Sequence, residues 1–392
     1  MISIEEAIVL VKNETKPLLK ETVKPVEKAC GYKLFKNVIS PINMPPFRQS
    51  AMDGYALHLH DTLVYNLIDE IKAGDNKQPI LKQGDGVRIF TGAAVPDTAN
   101  AVMMQEKVEV NGKIITLQNQ ITKNTNIRPE GEQVKKDELA LPKNTKLTPA
   151  AIGYLSSLGI KNVSVFKKPS IAIVTTGNEL VEAGTALEYG QIYESNSKML
   201  LSTLYSLKFY DVTIHKIEDD YAKTVSKLND VINTNDLVLI SGGISVGDYD
   251  FVGKALTKLN VKEHFYKVKQ KPGKPLFFGT KNNTQVFALP GNPAAALTCF
   301  YVYVYIALQK MMNNDVVELP KTKATSTTKF VKSGDRPQFL KAICNDGRVE
   351  ILEGQSSAMQ QTFALANAFV FISETHTNID IGDLIDVILL PV

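Results

Sequence analysis

SIAIVTTGNEL, residues 170–180, is a run of β-branched and apolar residues that breaks into threonine, glycine and an acid. A continuous apolar run of this kind suits a strand covered on both faces, and the glycine frees the backbone to leave it. DLVLISGG (236–243) and TQVFALPGN (284–292) repeat the pattern. Helical stretches at about 195–207 and 220–232, the strand DVTIHKI and the helix FVGKALTKL fill the intervals. Strands alternating with helices predict an open, mostly parallel α/β sheet, which we place at 169–313.

Outward from this centre the texture changes. The opening segment carries helical spacing in Ile4, Ala7, Ile8 and Val11, with Ser3 as its N-cap. SPINMPPF (40–47) breaks regular structure, and short β-type runs follow, so 41–136 reads as an inserted β-rich domain. LTPAAIGYLSSLGI (147–160) returns to helix, and 1–40 with 137–168 is expected to form a discontinuous N-terminal domain. The tail, 314–392, reads as a β-barrel domain. The fold class is therefore multidomain α/β plus β. Ala294–Leu308 is nearly all apolar but shorter than the roughly 20 residues of a spanning helix, so it reads as a buried helix, with no membrane role.

With 44 basic and 41 acidic side chains the net charge is only +3, too balanced for a general nucleic-acid binder. Cys30, Cys299 and Cys344 lie far apart and suit a reducing compartment without structural zinc. The N-terminus has Glu5 and Glu6 inside its apolar run and no basic leader, so the expected location is the cytoplasm.

Three strand ends carry ligand-type loops: TTGNE (175–179), SGGISVGDYD (241–250) and LPGNP (289–293). In an open parallel sheet, ligands bind at such ends, and glycine loops with exposed N–H groups favour phosphate. Any one loop is an ordinary turn; three together point to a site. Glu179, Asp219 and Asp250 stand among them. Carboxylates beside phosphates call for a divalent cation between, and Mg2+ serves with one or two carboxylates plus phosphate oxygens, here Glu179 and Asp250. On charge alone KVKQKPGK (267–274) reads as a solvated loop. Near a phosphate site its Lys267, Lys271 and Lys274 would hold a further oxyanion.

PPFRQSAMDGYAL (45–57), RIFTGAAVPDTANAVMMQE (88–106), TTGNEL, SGGISVGDYDF, KPGKP and LPGNP occur in that order. Together they resemble the MoeA/gephyrin E-domain family of molybdopterin molybdenumtransferases, along essentially the whole chain. The resemblance implies an elongated homodimer that takes adenylylated molybdopterin and molybdate, inserts the metal at the dithiolene and releases AMP with magnesium present. It implies a transient contact with the upstream adenylyltransferase. By the same resemblance, the active site lies in a cleft between the subunits and Asp53 and Thr91 face it, although MDGY alone reads as a turn. Asp219 and Asp250 join Glu179 in metal and pyrophosphate handling. Ser241, Gly242, Gly243 and Ser245 line the pterin or phosphate site. Lys271, Lys274 and Pro275 hold molybdate, with Lys267 in support. Pro290, Gly291, Asn292 and Pro293 shape the last loop, and Lys341 and Ser357 complete the oxyanion surroundings from the C-terminal domain.

The chain departs from the family pattern at three places. Gln133 stands where an acid is usual, Ala295 where a serine is frequent, and Lys341 where an arginine is frequent. Lysine lacks the bidentate fork of arginine. Other readings are a molybdopterin adenylyltransferase, which would need neither SAMDGYA nor the C-terminal domain, and a non-catalytic scaffold or tungsten-inserting paralogue.

Overall fold

The computed structural model describes residues 1–244 and 251–392. Contacts divide the chain into two compact units, Lys20–Phe166 and Met1–Leu19 with Lys167–Val392.

The first unit closes on itself through an antiparallel pair, with Glu21 opposite Phe166. A helix, Pro149–Ser157, starts where Thr148 Oγ1 accepts from the Ala151 amide. A six-stranded sheet carries the MDGY segment on its Gly54–Leu57 strand, flanked by Asp85–Ile89 and Ala101–Met104. Glycine is required at position 54: a Cβ there would sit 1.9 Å from the Met103 carbonyl oxygen.

In the second unit the central sheet runs Val212–Ile217, Ile171–Thr176, Leu237–Ser241, Thr284–Leu289, Phe277–Lys281, Lys262–Tyr266. The first three pairings are parallel and the last two antiparallel. Alternation along the strands sorts side chains between two apolar layers. Ile171, Ile173, Leu237, Leu239, Phe287 and Leu289 enter one. Ala172, Val174, Val238, Ile240, Val286 and Ala288 enter the other. Each fully buried Val, Leu or Ile contributes about 1.5–3 kcal/mol, and the polar residues of these strands stand only at their ends, as Thr175, Thr176, Ser241, Thr284 and Gln285.

Ile4–Glu14 and Asn196–Ser206 pack on the first layer, Tyr221–Thr234 and Phe251–Lys258 on the second. The N-terminal helix has the expected start, a capping box between Ser3 and Glu6. Its Ile4, Ala7 and Val11 join the core of the α/β unit. Pro293–Met311 forms one 19-residue apolar helix, and 83% of its apolar window is buried inside the protein. It contains a π-helical segment, Phe300–Val304. The tail closes a five-stranded barrel of Lys321–Ser326, Arg348–Ile351, Gln338–Asn345, Ala368–Ile372 and Leu384–Leu389.

Candidate functional site

The strands ending at Thr176, Ser241 and Leu289 are neighbours and parallel, so their three loops leave the same edge of the sheet. Asn196, at the start of a helix, ties two of them together. Its Nδ2 donates to Ser241 Oγ at 2.8 Å and to the Gly291 carbonyl at 2.7 Å. Gly242 and Gly243 both hold positive φ, and a Cβ on Gly243 would lie 2.7 Å from Val252 and 2.9 Å from Thr176 Oγ1. These glycines are fixed by close approach as well as by backbone conformation.

Glu179 is exposed, and its carboxylate folds back over Gly177. Asp219 closes on the same loop: its Oδ2 accepts from the Asn178 amide at 3.1 Å, and its own amide donates to Asn178 Oδ1 at 3.1 Å. Ser245 and Asp250 lie outside the described residues. No cluster of three metal-ligating side chains occurs among the described residues. Glu179 and Asp219 supply the hard oxygen donors that magnesium uses with substrate phosphates, so the chemistry of this edge fits the ion.

A second feature lies where the KPGKP loop meets the barrel. A cavity of about 250 Å³ is lined by Lys271, Lys274, Pro275, Pro290, Asn292, Ala295, Arg336, Gln355 and Ser357, with no carboxylate among the described lining residues. Asn292 Nδ2 donates to Ser357 Oγ at 3.0 Å, linking the PGNP loop to the barrel. Three cations, one hydroxyl and two side-chain amides on one hollow have the chemistry that suits a multiply charged oxyanion.

Lys341 stands elsewhere. It is 4% exposed, and its ammonium donates to the carbonyls of Gly354, Ser356 and Met359 at 2.8, 3.1 and 3.2 Å. Burial pulls its pKa below the ordinary lysine value. It pins the loop that carries Gln355 and Ser357 and is not part of the cavity lining. The cation that reaches the cavity from the barrel side is Arg336, in the loop between Phe330–Val331 and Gln338–Asn345. Arg336 is not among the candidate residues read from the sequence. Arginine directly before Pro337 was the available signal, since the residue before proline favours extended or turn backbone over helix.

Lys267 is likewise absent from the lining. Its backbone has φ +72°, and its ammonium stands 4.8 Å over the Tyr266 ring. Gly291 and Pro293 are not among the lining residues; of that segment the lining includes Pro290, Asn292 and Ala295.

In the other unit, Asp53 Oδ1 accepts from both the amide and the hydroxyl of Thr91, each at 2.7 Å. The Thr91 hydroxyl, then its amide, holds the Asp53 carboxyl below its ordinary value. The two residues paired by the sequence reading are thus bonded to each other. The main-chain N–H of Gln133 donates to the Met44 carbonyl at 2.9 Å.

Three family models tile the chain: the MoeA N-terminal region (domain I and II) at residues 2–159, the probable molybdopterin binding domain at 172–310, and the MoeA C-terminal region (domain IV) at 323–390. The chain belongs to the MoeA family. Among relatives, a molybdopterin molybdenumtransferase of Haemophilus influenzae is 34% identical over 362 residues, spanning 90% of this chain and 89% of that protein. One of Staphylococcus aureus is 29% identical over 401 residues, spanning 99% and 95%. A crystal structure of a molybdopterin biosynthesis MoeA protein from Pyrococcus horikosii superposes with a TM-score of 0.84 at 28% identity, covering 99% of each chain. The MoeA match spans the β-rich insertion and the C-terminal barrel as well as the α/β centre.

Proposed function

We propose that this MoeA-family transferase inserts molybdate into molybdopterin delivered in adenylylated form, releasing AMP. The observation that carries the reading is the cavity of Lys271, Lys274 and Arg336 with no carboxylate among its described lining residues. A dianion such as molybdate gains charge-assisted hydrogen bonds there that a neutral ligand does not. The glycine loops after Thr176, Ser241 and Leu289 suit the phosphates of the second substrate.

In this reading Lys271, Lys274 and Arg336 bind and orient the oxyanion, and Asn292 and Ser357 donate to its remaining oxygens. Two Mo–S bonds form as oxygen leaves molybdate as water, and water cleaves the phosphoanhydride to give AMP and the terminal phosphate of the pterin. Glu179 and Asp219, with Asp250, would hold Mg2+, which when bound neutralises charge on the phosphate oxygens. Asp53, fixed by Thr91, is retained as a group facing the cleft. The reading includes a homodimer in the cytoplasm that receives its substrate from the upstream adenylyltransferase.

The test is AMP release from adenylylated molybdopterin by the pure protein, with molybdate and magnesium each added or withheld. Release that depends on both, with active cofactor formed, is the expected outcome. No release with molybdate or tungstate would overturn the reading.

A further inference from the structure

We infer that Gln270, with Tyr303 beneath it, is the positioning residue that sets all three cations of the oxyanion cavity. The inference rests on the reading of that cavity given above. Gln270 is completely buried, at 0% exposure, directly before Lys271. Its Nε2 donates to the carbonyls of Pro272 and Gly273 at 3.0 and 3.2 Å, the two residues between Lys271 and Lys274. Its Oε1 accepts from the Tyr303 hydroxyl, and its main-chain carbonyl accepts from Arg336 Nη1 at 3.1 Å. One residue therefore holds the loop between the two lysines with its side chain and the arginine with its backbone.

The floor of this arrangement is the long apolar helix. Cys299 and Tyr303 are four residues apart and both bond to Gln270, Cys299 through its sulfur at 3.6 Å. Tyr303 lies in the π-helical segment Phe300–Val304, an irregularity that often accompanies functional sites. The packing leaves no slack: Gly273 has φ +85°, and a Cβ on it would fall 2.5 Å from Cys299 Sγ and 2.8 Å from Gln270 Nε2. An apolar side chain at position 270 would fill the same space without needing partners. A buried amide with donors and acceptor all engaged instead fixes one loop geometry, because any other leaves a buried polar group unpaired.

Gln270 and Tyr303 do not line the cavity, so their effect is on oxyanion affinity through the placement of Lys271, Lys274 and Arg336. Calorimetric titration of the full chain with sodium molybdate tests this. Tyr303→Phe leaves the buried Gln270 Oε1 without its donor and is expected to weaken molybdate binding about five- to tenfold. Tyr305→Phe, on the same helix, is expected to leave it unchanged, which separates loop placement from general loss of stability. In the catalysed reaction Tyr303→Phe should raise KM for molybdate and leave KM for the adenylylated substrate as it was. If Tyr303→Phe does not fold, Gln270→Met decides the question by the same titration. Wild-type binding with no change in the variant overturns this inference and leaves the oxyanion reading intact. Failure of the wild-type chain to bind molybdate overturns the oxyanion reading and the inference together.

Discussion

At the carboxyl edge of the sheet, Glu179 and Asp219 stand on two loops joined by one reciprocal pair of hydrogen bonds between Asn178 and Asp219, and Glu179 is exposed. In the cavity beside the barrel the supports are buried: Gln270 behind Lys271, Lys274 and Arg336, and Lys341 behind Gln355 and Ser357. The contrast follows from the ligands. A divalent cation gathers flexible carboxylates around itself and keeps several waters, so its ligands need little prior order. An oxyanion is recognised by donors aimed at its oxygens, and these work best when they are set beforehand.

The largest expected effect tests whether the two regions are separate sites. Arg336→Ala should weaken molybdate binding about 10- to 100-fold, as loss of a charge-assisted hydrogen bond implies, while Glu179→Gln should leave it within about twofold. Calorimetry on both variants reads this, and parallel losses would break the contrast. Comparable in size, Lys341→Met strips three carbonyls of their buried donor. It should lower the free energy of unfolding in urea by about 2–3 kcal/mol, with Lys341→Arg losing less. A stability equal to wild type would remove Lys341 from the supporting shell.

On the acidic edge, Glu179→Gln should raise the magnesium concentration for half-maximal AMP release about tenfold. A magnesium titration at saturating molybdate checks it; an unchanged midpoint would argue against Glu179 as a ligand. The smallest effect belongs to Asp53. Its carboxyl is held below the ordinary value of 3.8 by Thr91. The stability it contributes is complete above that value and is lost as pH falls through the lower folded value. Thr91→Val should therefore lower stability near neutral pH, where that contribution is complete, and flatten the acid limb of a pH–stability curve as the two proteins converge.

The largely apolar runs at 171–176, 237–241 and 284–289 determined the central sheet unaided, because strands covered on both faces are apolar along most of their length and so announce themselves in sequence. The order of SAMDGYA, TTGNEL, KPGKP and LPGNP determined the family for the same reason: each glycine answers a local requirement, as Gly54 does against the Met103 carbonyl. What sequence left undecided was which basic residue reaches the cavity. Arg336 and Lys341 are five residues apart in one segment, and composition treats them alike. The tertiary structure decided between them. Arg336 bonds to Gln270 across 66 residues of chain, whereas Lys341 lies within the Gln338–Asn345 strand of the barrel, where its ammonium meets the carbonyls of residues 354–359. A side chain's partner in a folded protein is fixed by long-range packing, and local sequence carries no record of that choice.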